Sequence, residues 1–323
     1  MMYPFLFKPI FKEMIWGGND ILRFKGFTPN DVKIGESWEI SHVEGNVSVV
    51  ANGDLEGYTL VQLIDTYGAR LIGEKVEKQF GNTFPLLIKF IDARDNLSIQ
   101  VHPDDTMAMV RHHSWGKTEM WYVVKAAPGA SLYSGFSQHI DIEEYIRRVE
   151  DNSIMEVLNR CEVLEGDVFF LPAGRVHAIN AGCFIAEIQQ TSNITYRIYD
   201  YNRIDAFGNN RQLHTDLAKQ AIDYTVYPEY RTEYIRRADI PVELVNCKYF
   251  VTNILEINKP ISRDYSALDS FVILICTHGH VTIRDVGGKE ITVHQGYTVL
   301  VPAEMRQISI LPRTPAKLLE VYV

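Results

Sequence analysis

Short apolar runs of roughly four to eight residues, each closed by a turn signal, fix what this chain can fold into. PLLIKF, NLSIQVH, EMWYVVK, GDVFFLPA, CFIAEIQQ and TYRIYDY come first, and YFVTNILEI, SFVILICTHG, HVTIRDV and KLLEVYV follow towards the end. Runs of this length, rich in β-branched and aromatic residues, are too short for packed helices and suit a β sandwich or barrel. Helical signals are few. Thr59 opens a capping box, Thr-Leu-Val-Gln, ahead of Leu60, Leu63, Ile64 and Tyr67 at helical spacing. Asp141 precedes Ile142, Tyr145, Ile146 and Val149 on one face, Thr215 precedes Leu217, Ala221 and Tyr224, and a shorter turn is expected from Ser153. These segments read as insertions around a mainly β core.

A frame recurs. Gly166, five residues and Pro172 in GDVFFLPAGRVHAIN are matched by Gly296, five residues and Pro302 in GYTVLVPAEMRQISI. A glycine that permits a tight turn, an apolar strand and a proline that ends it form a structural device, so the repeat predicts two related barrels. The first copy continues to His177, whereas the second has no histidine there. From Gln212 to Tyr234 the strand pattern lapses, and short strands then return until Val323, which places a domain boundary near residue 235.

The stretch LSIQVHPDD carries the chemistry. Alternation puts Ser98, Gln100 and His102 on one strand face and Leu97, Ile99 and Val101 on the other, before Pro103, Asp104 and Asp105 stop the strand and start a helix. If the polar face points inward, its groups need partners, and a metal or ligand supplies them. Gln100, His102, Glu119 and His177 could converge on one divalent ion, because two imidazoles, a carboxylate and an amide oxygen suit zinc and its neighbours. Each is a weak signal alone, since the ligands are spread along the sequence and must be gathered by the fold. Lys89 and Glu187 sit inside apolar strands, where each needs an opposite charge if it faces the core; Glu187 has Arg197 or Lys89 as candidate partners.

Composition excludes several classes. With 32 Lys and Arg against 41 Asp and Glu the net charge is −9, which argues against nucleic acid or an anionic membrane as partner. Lys8, Pro9 and Lys12 interrupt the apolar start, so neither a signal peptide nor a membrane span is expected there. Cys161, Cys183, Cys247 and Cys276 are widely spaced without a paired motif, as reduced packing thiols of a cytoplasmic protein would be. His112, His113, His278, His280 and His294 read as surface residues, and His214 as the entrance of a helix.

Over nearly its whole length the chain resembles the type I phosphomannose isomerases of the cupin superfamily, in their short bacterial form. IWGG, GESWEIS, LSIQVHPDD, GKTEMWYV, LPAGRVHAI and TYRIYDY carry the likeness. The resemblance implies two cupin-like jelly-roll barrels: a catalytic, metal-binding one with helical insertions over residues 1–235 and a metal-free one over 236–323. It implies one zinc ion held by His102, Glu119 and His177, with Gln100 as a further ligand, and the interconversion of mannose 6-phosphate and fructose 6-phosphate through a cis-enediol. Arg197 and Lys117 would supply positive charge for phosphate or enediolate, Glu187 and a metal-bound water are the candidate general bases, and Lys89 and Ser98 would contact the phosphosugar. The expected assembly is a monomer or homodimer.

Two features depart from the longer members. They carry a histidine and lysine where this chain has Gly116 and Lys117, and their large helical insertion shrinks here to Asp141–Arg160. Outside that reading stand an isomerase or epimerase of another phosphosugar and a sugar-phosphate sensor without turnover.

Overall fold

The strand Leu86–Ala93 shows how the sequence builds the layers. Its period of two sends Lys89, Ile91 and Ala93 to one face and Leu86, Ile88 and Phe90 to the other, and all eight residues are buried. A strand buried on both faces must lie between layers, and the computed structural model, which describes residues 2–204 and 208–323, places it at the centre of a six-stranded antiparallel sheet. In spatial order that sheet runs Ile10–Gly18, Ile34–Ile40, Leu86–Ala93, Cys183–Gln190, Glu119–Ala126 and Val168–Leu171. A five-stranded sheet closes the barrel with Tyr196–Tyr199, Ile99–Val101, His177–Ile179, Ser131–Phe136 and Leu158–Glu162. Ile91, Trp121, Val123 and Ile185 from the first sheet pack with Leu132 and Ile179 from the second inside it.

The second barrel repeats the plan in smaller form. Its six-stranded sheet runs Phe5–Leu6, Thr298–Val301, Val272–His278, Ala316–Tyr322, Val251–Ile257 and Pro241–Asn246. A four-stranded sheet, Ile261–Asp264, Gln307–Pro312, His280–Asp285 and Glu290–His294, covers a core of Leu255, Leu274, Val281, Val299 and Leu318. Phe5 pairs with Leu300 and Leu6 with Val299, so the start of the chain is hydrogen-bonded into the C-terminal sheet. The outer faces of the two six-stranded sheets share one cluster: Ile88, Phe90, Tyr122 and Ile188 of the first pack with Ile254, Ile273, Leu319 and Val321 of the second. Gly166 and Gly296, the repeated glycines, both take left-handed φ, +92° and +83°, and each leads into a strand.

The helices follow their caps. Thr59 accepts from the Gln62 N–H at 3.2 Å while its own N–H donates to Gln62 Oε1 at 2.8 Å, starting helix Leu60–Tyr67. Asp141 caps Ile142–Glu150, Asp104 caps Asp105–His112 through the Met107 N–H at 2.8 Å, and His214 precedes Thr215–Ala221. After Ser153 the chain makes a single 3₁₀ turn, Ile154–Val157. One expectation needs correction: Leu97 does not share a face with Ile99 and Val101. Regular pairing begins only at Ile99, so alternation does not extend back to Leu97, which packs inside the first barrel. Ile99 and Val101 instead pack against Tyr145 and Ala218 of the inserted helices.

Candidate metal centre

Antiparallel register assembles the site from sequence-distant residues. Arg197 lies opposite Gln100, Gln100 opposite His177, and His177 opposite Ser134, which makes one row across the five-stranded sheet. On the other sheet Glu187 lies between Lys89 and Trp121, and Glu119 lies opposite Gln189 one step further along. The facing rows enclose a cavity of about 320 Å³ whose walls include Lys89, Ser98, Gln100, Lys117, Glu187 and Arg197.

At one end of these rows His102, Glu119 and His177, all buried, bring one donor atom each to within 4.8 Å of one another. His102 Nδ1 donates to the Ile194 carbonyl at 2.9 Å and His177 Nδ1 to the Arg175 carbonyl at 2.8 Å. Each backbone acceptor fixes the tautomer and leaves the Nε2 lone pair facing Glu119, 3.6 Å from His102 and 3.3 Å from His177. His102 Nε2 and Glu119 Oε1 are buried without a hydrogen-bond partner, while Glu119 Oε2 lies within ion-pair range of Lys117. Burial holds His177 down to about 3 and His102 well below the usual imidazole range, so both rings are neutral, the form that can ligate. Burial, then the nearby Glu187 carboxylate, push Glu119 up, and a cation among these atoms would reverse that. Orphaned acceptors, neutral imidazoles and a buried carboxylate fit a divalent metal. Gln100 presents its amide Nε2 to His177 Nε2 at 3.3 Å, and a half-turn of the amide presents its oxygen instead.

The cations are arranged around this centre. Lys117 Nζ lies 3.1 Å from Glu119 Oε2. Lys89 faces inward, 3.1 Å from Glu187 and 3.8 Å from Glu36; burial acts to lower it, but those carboxylates outweigh burial and raise it. Burial likewise acts to raise Glu187, and Lys89 and then Lys117 overcome it, leaving Glu187 ionised with Trp121 Nε1 donating to it at 2.8 Å. Lys89 is thus the partner Glu187 takes. Arg197 is half-buried rather than fully enclosed, with Nε 3.3 Å from Ser98 Oγ and Nη1 donating to the Gln212 carbonyl at 2.9 Å. Ser98 itself is buried. Glu36 and Arg211 also line the cavity without having been singled out from sequence. Glu36 alternates with Trp38 in GESWEIS, but only the pairing of Trp38 with Lys89 gives it a partner; Arg211 comes from an irregular segment with no periodic signal.

An antiparallel double-sheet barrel with two histidines and a glutamate turned inward defines a metal-site cupin. Residues 5–121 match the family profile of the type I phosphomannose isomerase catalytic domain. Mannose-6-phosphate isomerase ManA of Bacillus subtilis is 38% identical over 250 residues, 76% of this chain and 77% of that protein. The mannose-6-phosphate isomerase of Streptococcus mutans is 37% identical over 227 residues, 69% of this chain and 68% of that one. A crystal structure of mannose 6-phosphate isomerase from B. subtilis superposes with a TM-score of 0.90 at 29% identity, covering 100% of both chains. The chain belongs to the type I phosphomannose isomerase family.

All four cysteines are free thiols. Among the described residues no helix is long and apolar enough to cross a membrane.

Proposed function

We infer that the chain interconverts mannose 6-phosphate and fructose 6-phosphate with one zinc ion per chain, and the convergence of His102, Glu119 and His177 beside a cationic cavity carries the reading. His102, Glu119 and His177 hold the ion, with Gln100 as a fourth ligand. A divalent metal held there would supply Lewis-acid stabilisation for negative charge that develops on the substrate as the proton moves between C1 and C2. Lys117 and Arg197 place positive charge where enediolate or phosphate charge develops, Arg197 offering a planar fork to paired oxygens. Lys89 and Ser98 contact the sugar phosphate from the cavity wall. Glu187 helps to hold Lys89 charged, and its depressed proton affinity makes it a weak base at neutral pH. The catalytic unit spans residues 1–235, apart from the strand Phe5–Leu6, which completes the sheet of a metal-free barrel over 236–323. Four free thiols and a net charge of −9 support a cytoplasmic enzyme, acting as monomer or homodimer.

The test is conversion of mannose 6-phosphate to fructose 6-phosphate by purified protein, with and without chelator, alongside elemental analysis. Near one equivalent of zinc, loss of activity on chelation and recovery on metal return are expected. His102→Ala and His177→Ala should each lose metal affinity by about tenfold or more. Parental metal content and turnover in both variants would refute the centre; turnover confined to another phosphosugar would refute the substrate.

A further inference from the structure

Of the two aspartates after Pro103, Asp104 caps a helix, while Asp105 does something that the local sequence does not require. Its Oδ1 accepts the Gly116 N–H at 3.0 Å and Gln190 Nε2 at 2.9 Å. Gln190 Oε1 in turn accepts the Thr118 N–H at 2.8 Å. One carboxylate oxygen therefore fixes, directly and through one amide, the segment that carries Lys117 and Glu119. The approach is close: a Cβ at Gly116 would lie 2.5 Å from the Asp105 nitrogen, so glycine is required there. Oδ2 turns the other way and accepts the Tyr249 hydroxyl at 2.8 Å, with Lys248 Nζ at 3.5 Å. Tyr249 and Lys248 lie between the strands Pro241–Asn246 and Val251–Ile257 of the C-terminal barrel.

We propose that Tyr249 is a positioning residue through which the C-terminal barrel sets the Lys117 and Glu119 side chains in the active site, by way of Asp105 and Gln190. The inference rests on the isomerase reading above. Burial works to raise Asp105, and its bonds from Gln190, Tyr249 and Gly116 outweigh that and lower it, so all three donors meet a carboxylate. Charge-assisted bonds in sequence strengthen one another, and outer partners of this kind orient the groups that touch metal and substrate. The second barrel, whose Gly-x5-Pro frame leads to no histidine, thereby acquires a role in the first barrel's chemistry.

The test uses the full chain with Tyr249→Phe, Asp105→Asn and the double variant. Amide hydrogen exchange at Gly116 and Thr118 in metal-free protein reports the relay, and kcat and KM for mannose 6-phosphate report its effect. Tyr249→Phe should speed exchange at both amides and lower kcat by about tenfold, with KM within about twofold of the parent. The double variant should match Asp105→Asn alone, because both act along one path. Tyr265→Phe removes another hydroxyl of the C-terminal barrel, 2.8 Å from Glu320, and should lower stability while leaving kcat unchanged. Unchanged exchange in Tyr249→Phe, faster exchange with parental kcat, or effects that multiply in the double variant would each overturn the proposal. If the parent itself fails to isomerise mannose 6-phosphate, the functional reading falls, and exchange in the metal-free protein still decides whether Tyr249 holds the strand.

Discussion

Arg197 shows how much one side chain's setting changes its meaning. On the strand Tyr196–Tyr199 it is half-buried, directed at the cavity through Ser98 and anchored by the Gln212 carbonyl rather than by a carboxylate. A guanidinium held by neutral partners keeps its charge and its planar fork for a ligand. Arg197→Ala should leave folding and zinc content near parental values and lower kcat for mannose 6-phosphate by roughly 10²-fold if it stabilises transition-state charge. Arg197→Lys, which keeps charge without the fork, should recover only part. Steady-state kcat and KM for both variants decide the role: a rise in KM alone means ground-state phosphate binding. Parental kinetics in Arg197→Ala would remove it from the site.

At the scale of an element, the strand Leu86–Ala93 does two jobs with opposite faces. Lys89 points inward to the charge network, while Asp92 points away and accepts the Asp20 N–H at 2.7 Å, tying down the start of helix Asp20–Phe24. Burial is the main reason that Asp92 is pushed up to about 6, with nearby Asp20 adding to it against the opposing backbone bond. An acid whose folded pKa is raised binds more protons in the native state between its unfolded value of about 4 and about 6. Stability therefore falls as pH rises through that window and stays lower above it. Asp92→Asn keeps an oxygen for the Asp20 N–H and removes the charge. Urea denaturation should find it more stable than the parent at pH 8, by on the order of 2 kcal/mol, and equal to it below about pH 4. An equal difference at both pH values would show that ionisation is not the cause.

Across the whole molecule the two barrels meet through apolar sheet faces, and an enclosed charge pair of the first reaches the second. Lys25 Nζ lies 2.8 Å from Glu39 Oε2, with both side chains almost wholly buried, and also donates to the Gly296 carbonyl of the C-terminal barrel. Ser37 Oγ donates to the other Glu39 oxygen at 2.6 Å, and the Lys25 ammonium lies 5.1 Å from the Tyr297 ring centre. Removing one member of such a pair strands the other in a low-dielectric interior. Lys25→Met should cost about 3–5 kcal/mol, and adding Glu39→Leu should restore much of it. Chemical-denaturation midpoints of the single and double variants check this; equal midpoints for Lys25→Met and the parent would mean that water reaches Glu39.

What the sequence by itself determined is everything whose cause is local. Thr59, Asp104 and Asp141 start helices because their side chains reach backbone N–H groups three residues on, and strand alternation sets Gln100 on the face opposite Ile99 and Val101. The same local reading set out His102, Glu119 and His177 as candidates, though weakly, since histidine and glutamate are common and nothing in their spacing joins them. Tertiary structure decided what depends on register and on which faces meet. Only strand pairing puts Arg197, Gln100 and His177 in one row, and only the closed barrel sets Lys89 against Glu187 and Glu36. Leu97 escapes its expected face because pairing starts two residues later. Phe5 joins a sheet nearly three hundred positions away, and Tyr249 meets Asp105 across the two barrels. Such contacts leave no periodic trace along the chain, because the free energy that selects them is released only when distant surfaces close on one another.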